Sequence, residues 1–166
     1  MWRKLPNKDG PPEMAKMQFR AMSETDVGAV SLIEQQIYEF PWSPQNFIDS
    51  IRAGYEAHCL WHDYSLLGYL VVMRVVDECH LLNLSVRADM QGKGLGKRLL
   101  QWAIDWAQSC HMKGMLLEVR PSNTGAQRLY ETTGFKLMGV RKHYYPAAQG
   151  REDALVLFKP FHTQGE

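Results

Sequence analysis

Three groups of residues in this 166-residue chain have types and spacing suited to chemistry. The first is Gln91-x-x-Gly94-x-Gly96, with Gly92 inside it and Lys97-Arg98 after it. A strand-like run, Leu81-Leu82-Asn83-Leu84-Ser85-Val86, leads in. An amphipathic helical pattern leads out, with Leu95, Leu99, Trp102 or Ala103, Trp106 and Cys110 at spacings of three and four. Glycines between a strand end and a first helical turn make an anion site. The first-turn N–H groups have no helical partners, the helix dipole adds positive charge, and the absence of Cβ lets a phosphate approach the backbone. Lys93, Lys97 and Arg98 add full charges. The spacing is not that of a P-loop, because Gln91 stands where its first glycine belongs and Arg98 where Ser or Thr belongs. It is not a dinucleotide fingerprint either, which needs two residues before the third glycine.

The second group is Glu118, inside the apolar run Gly114-Met115-Leu116-Leu117-Glu118-Val119-Arg120. Alternation puts Leu116, Glu118 and Arg120 on one face. A carboxylate in a central strand is costly unless paired or open to water. Glu118 is therefore either one half of a salt bridge, with Arg120 or another cation, or a general base at the floor of a cleft. The third group is Tyr130 and Asn123, on a short helix that Asn123 caps. Tyr130 is a core tyrosine or an acid that protonates a leaving group. Asn123 is a cap whose amide could also bond a ligand amide.

The elements that must position these groups follow from periodicity. Residues 1–16 lack it and are expected to form a flexible extension. Met17 to Met22 reads as a strand. Ser23 or Thr25 can cap a helix to about Glu39, with Val27, Val30, Ile33 and Ile37 inward. Phe40-Pro41-Trp42 breaks it, and Ser43-Pro44 starts a second helix to about Arg52. Strands are expected near 55–61, 65–75 and 78–87, a long helix over 94–109, and a strand over 114–120 stopped by Pro121. The Asn123 helix runs through Thr132, with Gly134 past its end. Two last strands, Phe135–Lys142 and Asp153–Phe158, are expected around a loop holding His143-Tyr144-Tyr145-Pro146 and Gly150. The order β-α-α-β-β-β-α-β-α-β-β predicts an α/β fold: a mixed sheet with helices on both faces.

Net charge of +1 and the lack of a basic-aromatic stripe argue against a nucleic-acid binder. The longest apolar run, Leu66–Met73, is strand-sized, and Arg3-Lys4 is followed by no apolar core, so neither a membrane span nor a secretory signal is expected. The cytoplasm is the expected location. Cys59, Cys79 and Cys110 each neighbour a histidine, but adjacent strand residues face opposite ways, so no metal site is expected. Buried free thiols are.

The Gln91–Gly96 segment resembles the pyrophosphate loop of the GNAT superfamily of acetyl-CoA-dependent N-acetyltransferases. Phe40-Pro41-Trp42-Ser43, Leu117-Glu118-Val119-Arg120-x-Ser122-Asn123, Ala126, Leu129-Tyr130-Glu131, Gly134-Phe135, Tyr144-Tyr145-Pro146 and Arg151-Glu152-Asp153-Ala154 recur in order. Over about residues 17 to 160 the set resembles one branch of that superfamily, the bacterial ribosomal-protein-alanine N-acetyltransferases. The resemblance implies a single acetyltransferase domain over 17–162, with the element order above. It implies that acetyl passes from acetyl-CoA to a protein N-terminal α-amine; in that branch the target is the N-terminal alanine of the eighteenth small-subunit ribosomal protein.

Carried over, the resemblance gives Leu84, Ser85 and Val86 backbone contacts with pantetheine. Gly92, Lys93, Gly94, Leu95, Gly96 and Lys97 bind the pyrophosphate, and Asn123 contacts coenzyme A. Glu118 becomes the proton acceptor and Tyr130 the proton donor to the departing thiolate. The loops with Phe40 and Trp42, and with Tyr144 and Tyr145, flank the peptide. Arg87-Ala88 departs from the acidic-Pro pair common after that strand. No Cys or Ser sits in a nucleophile motif, so direct attack in a ternary complex is expected. The alternatives are a GNAT enzyme for a small amine or lysine side chain, and a noncatalytic acyl-CoA sensor, which would need neither Glu118 nor Tyr130.

Overall fold

The computed structural model describes residues 16–162. The extension expected over residues 1–16 lies, but for Lys16, outside the described residues. The elements are β1 (Met17–Ala21), α1 (Val27–Ile37), α2 (Pro44–Arg52), β2 (Glu56–His62), β3 (Ser65–Val75), β4 (Glu78–Val86), α3 (Leu95–Ser109), β5 (Gly114–Val119), α4 (Thr124–Thr132), β6 (Lys136–Pro146) and β7 (Arg151–Pro160). This is the predicted order. The seven strands hydrogen-bond in the order β1-β2-β3-β4-β5-β7-β6. β4 and β5 pair in parallel, whereas β1 with β2, β5 with β7, and β6 with β7 are antiparallel, so the sheet is mixed.

Backbone contacts group the chain into two units: the chain up to Leu70 with Ser85–Gly96, and Val71–Leu84 with the chain from Lys97 onward. In the first, Val27, Val30 and Ile33 of α1 and Phe47 of α2 are buried with Leu66, Leu67, Tyr69 and Leu70. α1 is entered through a capping box, in which the Ser23 N–H donates to Asp26 Oδ2 at 2.8 Å. α2 starts as expected: Ser43 Oγ accepts from the Asn46 N–H, and Pro44 occupies the first helical position.

The second unit buries Val71, Val72, Cys79 and Leu81 with Met115, Leu117 and Val119. Leu99, Leu100, Ala103, Ile104 and Ala107 are the buried residues of α3 in this unit. Trp102 and Trp106 are half-buried and stack on one another at 6.4 Å, so they flank that buried stripe rather than fill it. Asn123 caps α4, accepting from the Ala126 N–H at 3.1 Å. Gly134, at φ +100°, donates its N–H to the Glu131 carbonyl past the helix end.

One expectation needs correcting. His143-Tyr144-Tyr145-Pro146 is not loop: β6 runs through Pro146, β7 begins at Arg151, and only residues 147–150 turn. An irregularity in register between Arg141 and Tyr145 absorbs His143, whose φ is +50°. Side chains of β7 close the bulge. Asp153 Oδ1 accepts from the His143 N–H at 2.9 Å, and Arg151 donates to the carbonyls of His143 at 2.8 Å and Tyr144 at 2.7 Å. With the displaced backbone groups satisfied, pairing resumes beyond the bulge.

Candidate active site

In the first unit, β4 ends at Val86 and α3 begins at Leu95. Gly92 and Gly94 between them have φ of +75° and +84°, which only glycine adopts cheaply, and a Cβ on either would meet nothing within 4 Å. The loop is thus a backbone surface with open space in front of it, followed by a fifteen-residue helix whose first turn holds exposed Lys97 and Arg98. A pyrophosphate fits that cradle by shape and charge. Leu95 is the buried foot of the helix. Gln91 ties the loop to the strand, donating from Nε2 to the Val86 carbonyl at 3.0 Å. Arg87, at the departure from the acidic-Pro pair, is engaged by both backbone and side chain. Its N–H donates to the Leu67 carbonyl at 2.8 Å, and its guanidinium bonds the Leu66 carbonyl and Asp89.

Ser85 is buried, and its hydroxyl meets Tyr38 Oη at 2.7 Å, so its side chain is engaged within the unit. In the loop after α1, Phe40 is exposed. Trp42 lays its ring against Phe47 at 5.1 Å and donates its N–H to Glu34 Oε1 at 3.1 Å. Sequence reasoning missed Glu34. Its signal was present, a carboxylate at the position between inward Ile33 and Ile37.

In the second unit, the β4–β5 ladder joins Cys79, His80 and Leu81 to Met115, Leu116 and Leu117, while β4 runs on to Val86 and β5 to Val119. Glu118 lies one residue beyond the Leu81–Leu117 pair of that ladder, with its side chain only 8% exposed. It is paired, but with Arg141 of β6 at 3.0 Å rather than with Arg120. Arg120 instead bonds Glu152 and the Pro146 carbonyl. The Tyr144 hydroxyl hydrogen-bonds Glu118, and that bond, then burial, raises the Tyr144 pKa. Tyr145 stacks edge-on to Tyr144 at 4.9 Å, with the Arg120 guanidinium 4.3 Å from its ring centre; burial, then the Glu118 charge, raises its pKa well above normal. His80 shares the Glu118 face and is kept toward its neutral form by burial, against the pull of Glu118. Tyr130 is buried on α4, edge-on to Phe135 at 5.7 Å. Asn123 is exposed, its carbonyl oxygen committed to the cap.

So the structure gathers Glu118, Tyr144 and Tyr145 around one carboxylate, with Arg141 and His80 as members that sequence reasoning missed. The Gly92–Gly96 stretch and the Phe40–Trp42 loop form separate groups in the first unit. Cys59 and Cys79 are buried and Cys110 is half-buried, and all three are free thiols. Among the described residues, no three His, Cys, Asp or Glu side chains gather as a metal-binding group, and no helix is long and apolar enough to cross a membrane.

Comparison with known proteins adds the following. A family model described as the Acetyltransferase (GNAT) family matches residues 27–135. The [ribosomal protein bS18]-alanine N-acetyltransferase of Salmonella typhimurium is 38% identical over 139 residues, which is 84% of this chain and 94% of the relative. The protein of that name from Escherichia coli K12 is 36% identical over 140 residues, 84% of this chain and 95% of the relative. A crystal structure of the ribosomal-protein-S18-alanine N-acetyltransferase from Escherichia coli is similar with a TM-score of 0.83 at 35% identity, covering 90% of this chain and 97% of that one.

Proposed function

The chain belongs to the GNAT family of acetyltransferases, and on that premise we propose that it transfers acetyl from acetyl-CoA to the N-terminal alanine of ribosomal protein bS18. The observation that carries the acceptor is the 38% identity to a relative named for that activity, spread over 94% of the relative's length. A ribosomal-protein acceptor means that the enzyme works in the cytoplasm.

In this reading Gly92, Lys93, Gly94, Leu95, Gly96 and Lys97 hold the pyrophosphate. Backbone groups of Leu84, Ser85 and Val86 line the pantetheine arm, and a strand N–H near Val86 meets the developing oxyanion. Asn123, its oxygen held by the cap, contacts coenzyme A through its amide nitrogen. Binding the amine and the thioester together makes the attack effectively unimolecular. Glu118 takes the proton of the α-ammonium, directly or through water. An α-amine has a pKa near ~7.7–8.0 against ~10.4 for a lysine side chain, so a modest base suffices for the first. Arg141 and Tyr144 fix the carboxylate's orientation while that proton moves. Tyr130 protonates the leaving thiolate. Phe40, Trp42, Tyr144 and Tyr145 flank the peptide.

The test is an acetyl-CoA assay on short peptides differing only at the first residue, beside a lysine-containing peptide with a blocked N-terminus. Acetyl on the α-amine of Ala-first peptides is the expected product. Acetyl found only on lysine would replace this reading with the lysine-acetyltransferase alternative.

A further inference from the structure

Glu34 is 2% exposed, the most buried carboxylate among the described residues. A charge so placed costs several kcal/mol unless donors meet it. Two do. Tyr69 Oη donates to Oε2 at 2.5 Å, and the Trp42 backbone N–H donates to Oε1 at 3.1 Å. The main-chain carbonyl of Glu34 also accepts from the Tyr38 N–H at 3.0 Å. One residue therefore holds both ends of the segment Tyr38–Trp42, one end by its backbone and the other by its side chain. A second, apolar route runs beside it, since the Trp42 ring rests on Phe47, which meets Tyr69 edge-on at 5.7 Å.

The Ser85 hydroxyl bonds both Tyr69 and Tyr38. Counting protons orients this chain. Tyr69 donates its proton to the Glu34 carboxyl group, so the Ser85 proton goes to Tyr69 and the Tyr38 proton to Ser85. The loop after α1 and the end of β4 are thus referenced to the same buried side chain, within one unit.

We propose that Glu34 is a positioning residue for the acceptor: it holds the Phe40-Pro41-Trp42 loop in the shape that receives the first residues of the protein substrate. The proposal rests on the acceptor-loop assignment made above. Residues 38–42 have no helix or strand of their own to order them. Without the clamp, the substrate must order the loop as it binds, and that cost enters KM for peptide rather than for acetyl-CoA.

The test compares Glu34→Ala with Glu34→Gln in the full chain. Glutamine keeps an oxygen for the Trp42 N–H and presents its NH2 to the Tyr69 oxygen. Glu34→Ala should raise KM for an Ala-first peptide at least about fivefold, with KM for acetyl-CoA within twofold, and Glu34→Gln should recover most of the loss. An unchanged peptide KM in folded Glu34→Ala, or equal rises in both KM values, overturns the proposal. Should Glu34→Ala not fold, hydrogen exchange of the Trp42 amide in the wild-type chain decides. Slow exchange supports the clamp, and exchange at the rate of an open loop refutes it. A wild-type chain that acetylates no peptide α-amine would defeat the functional reading instead, and the amide measurement is independent of that.

Discussion

Arg141 reaches Glu118 at 3.0 Å, from a side chain 54% exposed to one 8% exposed. An edge-strand cation thus holds a carboxylate that the sheet has nearly enclosed. Glu118 has a structural occupation beside the proposed chemical one, and the two separate experimentally. Glu118→Gln keeps the shape and an acceptor oxygen for Arg141 but cannot take a proton. Its kcat should fall by about 10²–10⁴, the usual worth of general-base catalysis, with acetyl-CoA affinity little changed. Raising pH toward 9 should recover part of the loss, because free amine then becomes abundant without the base. Steady-state kinetics from pH 6 to 9 measure this, and wild-type turnover would leave Glu118 only its ion pair.

Tyr130→Phe removes a hydroxyl from a buried ring and keeps the edge contact with Phe135. If Tyr130 is the proposed proton donor to the thiolate, the expected outcome is a lower kcat with weaker pH rescue than in Glu118→Gln. Single-turnover assays at two pH values tell the variants apart.

The two adjacent tyrosines should behave differently. Tyr145 is pinned under Arg120, which also bonds Glu152 and the Pro146 carbonyl, so Tyr145→Ala should lower Tm as well as raise KM for peptide. Tyr144 is 42% exposed, and its hydroxyl bonds Glu118. Tyr144→Phe should lower Tm less than Tyr145→Ala, since it removes one hydrogen bond and no packing, while changing peptide kinetics. Thermal melts alongside KM values check both.

Gly94 has φ +84° with open space at its Cβ position. Gly94→Ala should cost about 1 kcal/mol of stability from the left-handed backbone and put a methyl group in the open space proposed for the pyrophosphate. Calorimetry should show acetyl-CoA affinity at least about tenfold lower, roughly 1.4 kcal/mol. Full affinity would move the cosubstrate away from this loop.

Acid should loosen the entry to α1. Burial opposes ionisation of Asp26, but bonds from Arg20 and from the Ser23 N–H and hydroxyl outweigh it, and the carboxyl is held below the usual carboxylate range. A depressed folded pKa contributes stability above the unfolded value, near ~3.9, and loses it as pH falls through the folded one. Asp26→Asn should therefore cost about 1.5–3 kcal/mol at pH 7. The gap from wild type should begin to narrow below about pH 4 and close only below the folded pKa. Urea melts at pH 7 and pH 3 measure the two differences.

What was legible in the sequence was what local rules govern. Ser43-Pro44 and Asn123 announced their helices because a cap is written within four residues, and Gly92 and Gly94 announced a loop only glycine tolerates. What was not legible depended on distant partners. Nothing near Glu118 points to Arg141, which meets it only because β7 carries β6 into place, so the sequence offers Arg120 or an unnamed other cation, and the structure supplies the latter. The Tyr144–Tyr145 stretch read as loop because Asp153 and Arg151, which close the His143 bulge, come later in the chain. Glu34 on the inward face of α1 left a local mark, but its strongest donor, Tyr69, lies 35 residues on in β3 and could not be read from that mark.

The strand order carries a consequence for synthesis. β7 is the last strand in chain order, yet it lies between β5 and β6, pairing Val119 with Leu155 on one side and Pro146 with Arg151 on the other. A nascent chain that has not yet made Arg151–Pro160 has no ladder on which to hang β6, and so nothing to bring Arg141 to Glu118. Such long-range pairing is slow, and it waits for its last participant. The Glu118 ion pair is thus made late in folding: a strand distant in sequence must dock before β6 can deliver its arginine.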